Sequence, residues 1–400
     1  MTEQLTRRQC VATVASASIA ALAGCGATSE TPAGDDSSQT ETGTVEPDPI
    51  GGIPMYGYNA ANTGTTADES SPVEDIAVQW STDRTEFYSG QPVVVDDTVY
   101  ASGDTLVARD AREGSLQWSS DVDVGTATPA VVDGTVYAGG RNGNVYALDA
   151  DDGTEQWQFR TASDNNSITV ADGTVYFTAR DGYLYAVDAA TGSQQWRFEP
   201  EQVYGNTPAV ADGSVYLGDG RPGLYCINAA DGTQEWKFEP EVPGVVRPTV
   251  DVAPAVTDGT VYVGMSSGIL HALSADDGTE QWQFETETPV SSSPTVADGI
   301  VCFGNTGSTV YALSTADGTE QWQYELSFSG VGTTAVVDDV VCFGSRVGFL
   351  YGLSASDGTE QWRSDINATE DYAPAVVDGW VYVSSDSGVL KALAEPEAES

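Results

Sequence analysis

Few side chains in this 400-residue sequence are suited to covalent or metal chemistry. There is one histidine, His271, and five cysteines, Cys10, Cys25, Cys226, Cys302 and Cys342. An imidazole can serve as a general base, and a thiol as a nucleophile where its pKa is lowered. No two cysteines are adjacent, and no Cys/His set has the spacing of a zinc site. The 60 acidic residues offer carboxylates for Ca²⁺. Asp149-Ala150-Asp151-Asp152-Gly153 is one such run, but it lacks the D-x-D-x-D-G order of a calcium loop. The same Asp-Gly returns at Asp277-Gly278, Asp317-Gly318 and Asp357-Gly358. A recurring Asp-Gly reads as turn chemistry: Asp bonds the backbone and Gly accepts positive φ.

The charge excludes one class of function. Sixty acidic residues face 15 basic ones, for a net charge of -45, and lysine occurs only as Lys237 and Lys391. With no basic patch, phosphate neutralisation has no source, so nucleic-acid binding is excluded. The acids are spread between patterned segments, not gathered in a tail. Self-repulsion at this charge is relieved by salt. An acidic, lysine-poor, folded chain therefore reads as adapted to high salt, as in a halophilic archaeon. A cation-binding surface is the rival reading, and no ligand spacing supports it.

The elements that must position any site follow from a repeat. Eight of the nine tryptophans, Trp80, Trp118, Trp157, Trp196, Trp236, Trp282, Trp322 and Trp362, recur 38 to 46 residues apart. That period signals a solenoid or a propeller. One unit reads Thr128-Pro129-Ala130-Val131-Val132, Asp133-Gly134, Thr135-Val136-Tyr137-Ala138, a Gly-rich loop, Asn144-Val145-Tyr146-Ala147-Leu148-Asp149, then Asp152-Gly153-Thr154-Glu155-Gln156-Trp157. Four short Val- and Tyr-rich runs separated by turn residues predict four strands. No helical period appears, so the class is all-β, and four strands per repeat make a β-propeller blade.

These units resemble the repeats of pyrroloquinoline quinone (PQQ) enzymes and their non-enzymatic relatives, including BamB-type outer-membrane assembly lipoproteins. The resemblance covers about residues 73 to 393 and implies that each Trp packs between blades. Met55-Tyr56-Gly57-Tyr58-Asn59-Ala60-Ala61-Asn62-Thr63-Gly64 resembles a pre-propeller segment of such proteins. Seven complete units end at Trp118 to Trp362, and an eighth, from Ala373 to Leu393, lacks its Trp strand. The run Glu74-Asp75-Ile76-Ala77-Val78-Gln79-Trp80 supplies it. The expectation is an eight-bladed β-propeller with one composite blade, which removes the open edges of the ring. The alternative is seven blades and a loose end.

Alignment to the repeat reassigns the reactive residues. His271 stands where other units have Tyr146, Tyr185, Tyr311 and Tyr351. Cys302 and Cys342 stand where Tyr137, Tyr176 and Tyr262 stand, and Cys226 where Ala147 and Ala186 stand. These read as buried substitutions, and a Cys302–Cys342 disulfide is not expected between separate sheets. The family's dehydrogenases use an adjacent Cys pair, Glu, Asn and Asp ligands for Ca²⁺, and an Asp base. This chain has no vicinal Cys pair and no matching acid cluster. No catalytic residue, metal ligand or bound cofactor is expected; PQQ with Ca²⁺ is the alternative.

Arginine gives a further pattern. Arg141, Arg180, Arg221 and Arg346 all follow the second strand of their units, on the rim that carries the inter-blade connections. Arg247 lies in the connection Pro240 to Asp251, which is longer than its counterparts. Two readings stand: an arc that binds a carboxylate, an anionic glycan or an acidic partner segment, or local pairing with acids such as Asp181 and Asp219. The long connection is either a recognition loop or an insertion covering the channel mouth.

The amino terminus reads as an address. Arg7-Arg8, an apolar stretch from Val11 to Ala23 and Leu22-Ala23-Gly24-Cys25 resemble a twin-arginine lipoprotein signal, implying cleavage after residue 24 and a lipid on Cys25. A signal cut elsewhere, with Cys25 free, is the other reading. Residues 25–52 are a disordered acidic, Ser/Thr-rich tether, 53–72 the pre-propeller segment, 73–395 the propeller and 396–400 a tail. Asn165 and Asn367 begin N-glycosylation motifs. The chain is thus expected to be a monomeric, exported, non-enzymatic scaffold, lipid-anchored to the outer face of the cytoplasmic membrane. It would bind a protein partner at the cell surface, or a small ligand. The alternatives are a PQQ-dependent dehydrogenase using the axial channel and a ligand-binding receptor subunit of a membrane complex.

Overall fold

In the computed structural model the described residues are 55–65, 70–72, 76–83, 88, 90–125, 127–164, 167–202, 206–221, 223–240, 248–327, 330–366, 373–385 and 388–396. Arg7, Arg8, Cys25, Asn165, Arg247 and Asn367 lie outside them. Every regular element described is a β-strand. The strands form eight antiparallel sheets of four. In blade 2 the order from the inside outward is Ala130–Val132, Thr135–Gly139, Asn144–Asp149 and Glu155–Arg160. Its first hairpin turns on Asp133 and Gly134, with φ of 49° and 72°. A two-residue type I′ turn requires that left-handed pair, and Asp-Gly is the sequence that tolerates it.

Burial follows the same order. The middle strands of each blade are almost wholly buried, and the outer strands keep exposed positions. Each innermost strand touches the innermost strands of both neighbours, including blade 8 against blade 1, so the ring is closed. Blade 8 combines Ala375–Val377, Trp380–Ser384 and Leu390–Ala394 with the outer strand Ala77–Ser81. Its closing register pairs Ala77 with Ala394 and Trp80 with Ala392. The composite eighth blade is therefore present, and the seven-bladed alternative is not.

Tryptophan couples the blades. The indole N–H of Trp118 donates to Ala150 O at 2.8 Å, in the outer turn of the next blade. Trp157 does the same to Ala189 O at 2.9 Å and Trp282 to Thr315 O at 3.0 Å. The turn glycine lies flat beneath the ring: a Cβ on Gly153 would sit 2.6 Å from Trp118 Cε3, and its φ is +74°. Glycine is required there twice over, by space and by conformation. Trp362 meets no such turn in blade 8. It donates instead to Pro72 O at 2.9 Å, so the amino-terminal chain supplies the missing acceptor.

Residues 55–65 lie inside the ring. Backbone N–H groups in the middle of four innermost strands donate inward: Val210 to Ala60 O, Val256 to Ala61 O, Val296 to Thr63 O and Val336 to Gly64 O, at 2.6 to 3.0 Å. Blade 8 is met by a side chain. Tyr58 Oη donates to Pro374 O at 2.6 Å and accepts from Val376 N at 3.0 Å. Tyr58 is 1% exposed and holds φ at 70°, an unusual conformation for a bulky residue that this two-point bond fixes. Gly57 N reaches Gln91 of blade 1 at 3.4 Å, and Met55 is buried with Ile168 of blade 3. Further on, Ser70 O accepts from Gly379 N, at the turn end of blade 8. The segment thus occupies the axial channel before the chain emerges to form its first strand.

Candidate functional site at the axial mouth and connection rim

The propeller has two unlike faces. One carries the hairpin turns. The other carries the loops between second and third strands, hydrogen-bonded to the inter-blade connections: Arg180 N donates to Asp164 O, and Gly220 N to Gln202 O, both at 3.0 Å. This connection face holds the four repeat-borne arginines, all exposed.

Each of the three consecutive arginines faces an acid. Arg141 Nη1 lies 4.0 Å from Asp104 of the neighbouring blade, and Arg180 Nη1 lies 3.9 Å from Asp164. Arg221 Nη1 is closer, at 3.2 Å from Glu201. Arg346 is not without a partner either. Asp181 and Asp219, the acids expected from sequence, do other work. Asp181 accepts the hydroxyl of Tyr185 at 2.9 Å; burial and this carboxylate push that phenol up to about 12. Asp219 accepts Arg221 N at 2.8 Å through Oδ1 and fixes the loop.

Blade 4 has the densest charge network described on this face. Lys237 Nζ meets Glu201 at 2.9 Å and Glu239, and it lies 4.7 Å above the Tyr225 ring. Burial pulls the Lys237 pKa down, but Glu239 and Glu201 outweigh it and hold it above the ordinary value. Asp219 stands beside this network, fully buried, with no hydrogen-bond partner for Oδ2 among the described residues. Burial raises its carboxyl pKa against the opposing bond from Arg221 N. Blades 3 and 7 carry Ala179 and Ser345 at this strand end. The sequence offered Asp219 as a surface partner for arginine, and its full burial belongs to the fold.

A cavity of about 230 Å³ opens at the axial mouth, lined by Tyr56, Asn206, Asp251, Ser291, Ser293 and Thr333, among others. Tyr56 bonds Ser293 at 2.8 Å, so the channel segment forms its floor. Among the described residues the lining is hydroxyl-rich, with one carboxylate and no cationic side chain.

The reactive residues lie in the blades. Cys226, Cys302 and Cys342 are buried and free. Burial pushes the Cys226 and Cys342 thiols up to about 12, which suppresses the thiolate. Cys342 Sγ lies 3.8 Å from Ser71 Oγ. His271, 1% exposed, packs edge-on against Phe238 at 5.1 Å and bonds Glu280 at 2.7 Å. Burial lowers its pKa, with Glu280 opposing. It fills the aromatic rung that Tyr185 and Tyr311 fill elsewhere. Among the described residues, no group of three or more His, Cys, Asp or Glu is arranged to hold a metal ion.

Comparison with known proteins gives the context for this geometry. A PQQ-repeat family model described as outer membrane protein assembly factor BamB matches residues 102–202, 180–334 and 246–399. No curated protein matches the sequence. Among solved structures, BamB from Moraxella catarrhalis is similar with a TM-score of 0.66 at 17% identity, over 81% of this chain and 99% of that one. Quinohemoprotein alcohol dehydrogenase from Comamonas testosteroni gives 0.72 at 16% identity, over 87% and 82%. A europium-containing methanol dehydrogenase gives 0.75 at 11% identity, over 86% and 98%. Identities this low show a shared fold, and a fold alone does not fix function. The family match spans most of the chain, and the protein belongs to the BamB-type family of PQQ-repeat propellers.

Proposed function

We propose that this protein is a non-enzymatic scaffold, held through a lipid on Cys25 at the outer face of the cytoplasmic membrane, that binds a segment of a partner protein across its connection rim. The observation that carries the reading is the filled channel. Residues 55–65 cap the innermost strands of five blades from within, which leaves the rim as the accessible surface of that face. The family description, an assembly factor, names proteins that act on other proteins.

The donors at the axial mouth argue in the same direction. A Ca²⁺-bound quinone carrying carboxylates needs several oxygen ligands and cationic partners. Among the described residues this mouth offers Asp251, one amide and hydroxyls, and these do not fit that group. The arc of Arg141, Arg180 and Arg221 suits an acidic partner segment that displaces the loosely held Asp104 and Asp164.

The test is cross-linking in membranes at high salt, comparing the wild type with the Arg141→Ala/Arg180→Ala/Arg221→Ala variant. One discrete cross-linked partner, lost in the variant, supports the rim reading; a partner retained at full yield overturns it. Dye-linked dehydrogenase activity after addition of PQQ and Ca²⁺ would overturn the non-enzymatic reading. Cys25→Ala should release the protein from membranes. The net charge of -45 supports a high-salt setting, and full stability in dilute buffer would contradict it.

A further inference from the structure

The outer strands repeat one pattern and break it in two neighbouring blades. Two residues before the Trp, six blades carry Glu155, Gln194, Gln234, Glu280, Glu320 and Glu360, and blades 8 and 1 carry Val78 and Leu116. The six regular outer strands each contain at least one charged residue. Ala77–Ser81 and Leu116–Ser120 contain none. These strands belong to adjacent blades, because Trp80 and Tyr382 of blade 8 both donate to Ala111 O of blade 1, at 2.9 and 3.2 Å.

Each strand is the last of its sheet, so one backbone edge faces outward. Val78 is 43% and Leu116 51% exposed; among the described residues they are two of three exposed large hydrophobic side chains. Natural proteins guard such edges with charge. On a chain of net charge -45, this pair of edges carries no charge of its own and keeps only the bulge beside the Trp.

We propose that the outer edge of Leu116–Ser120, with Ala77–Ser81 beside it, is a docking site for an extended, uncharged segment of another protein. The segment adds a fifth strand to blade 1 and sets apolar side chains, alternating along its length, beside Leu116. Charge selects this occupant. Away from the rim arginines an acidic segment is repelled by the net negative charge, and a basic one finds carboxylates almost anywhere, so this edge discriminates in favour of a neutral strand. The site is on the outer wall, away from the rim arginines, and stands or falls independently of the rim reading.

The experiment titrates the full chain in molar KCl with an acetylated, amidated peptide of alternating Thr and Val. Two companion probes replace Thr by Glu or N-methylate alternate backbone amides. Leu116→Glu restores the residue found in blades 2, 5, 6 and 7, so the variant folds, and its thermal unfolding is recorded as the control. The neutral probe should bind the wild type, and Leu116→Glu should weaken binding by at least about tenfold. The acidic and N-methylated probes should fail to a similar degree. No binding of the neutral probe, equal binding to Leu116→Glu, or equal binding of the N-methylated probe overturns strand addition at this edge. A dimer in sedimentation that Leu116→Glu dissociates assigns the edge to a second copy of the chain and overturns the partner segment.

Discussion

Every blade has two strand edges, and the protein treats them oppositely. The inner edges converge on the axis, where the backbone is enclosed. In blades 4 to 7 the inward N–H groups are capped by carbonyls of residues 60–64, and in blade 8 by the Tyr58 hydroxyl. The outer edges face solvent and carry a bulge before the Trp, as in Glu155–Arg160, Glu280–Glu285 and also Leu116–Ser120, and in blades 2 to 7 they carry charge as well. Burial explains the difference. A backbone group shut away from water needs a partner within the protein, whereas an exposed one needs only protection from wrong partners. Inner edges are therefore a matter of stability, and outer edges a matter of specificity.

Substitutions can break that contrast. The largest effect is expected at Trp362, where inner segment and outer ring meet. Trp362 is 1% exposed, and its indole bonds Pro72 O. Trp362→Ala should cost about 3–5 kcal/mol in denaturant unfolding. Trp157, bonded to an ordinary turn, should cost less on the same substitution because it is partly exposed. Equal losses would show that the closure is no more than another blade contact. Next comes Tyr58→Phe, which keeps the ring and deletes one oxygen. Pro374 O and Val376 N lose their shared partner, and leaving such groups unsatisfied costs about 1–3 kcal/mol. A loss near zero would mean that water substitutes freely in the channel, and that the inner edges are not sealed.

The outer architecture was legible in the sequence because its signals are local. Asp-Gly turns, Val- and Tyr-rich runs and the Trp period each lie within one unit, and the missing strand of blade 8 showed as an unpaired remainder. The channel segment was visible as a resemblance, and its role was not. Its contacts with the blades are all remote, with Tyr58 and Pro374 separated by 316 positions, and it has no periodicity to interpret. The arginine arc was half legible. Loop position followed from the repeat, but Asp104 and Glu201, which face Arg141 and Arg221, come from separate loops and connections that only the fold brings near. Asp219 was legible as an arginine neighbour, but its burial and its bond to the Arg221 backbone N–H were not. Val78 and Leu116 stood in plain view once the Trp positions were aligned, but their meaning needed the exposed edge.

Outer-edge changes should be small in stability. Leu116→Glu replaces an exposed side chain by the one used at four equivalent positions, and its effect should fall within about 0.5 kcal/mol. A loss as large as that of Tyr58→Phe would show that Leu116 packs, and would erase the distinction between the two kinds of edge.

The smallest effect lies in the turns that lead into the outer strands, and pH reads it. Asp277 accepts hydrogen bonds from Thr279 Oγ1 at 2.7 Å and Thr279 N at 3.1 Å. Asp317 and Asp357 repeat this with Thr319 and Thr359. In each, the threonine hydroxyl first and its backbone N–H second hold the carboxyl below its ordinary 3.8. A pKa lower in the folded state than in the unfolded one means that the unfolded chain binds the proton more tightly. The contribution is complete above 3.8 and is lost as pH falls through the depressed folded value. The wild type should therefore lose melting temperature on acidification below that point, in molar salt that screens the general repulsion. The triple variant Asp277→Asn/Asp317→Asn/Asp357→Asn keeps an acceptor oxygen and has no proton to gain, so its acid slope should be shallower. Identical slopes would show that these bonds order the turns without stabilising them, and that the outer hairpins are held by the tryptophans alone.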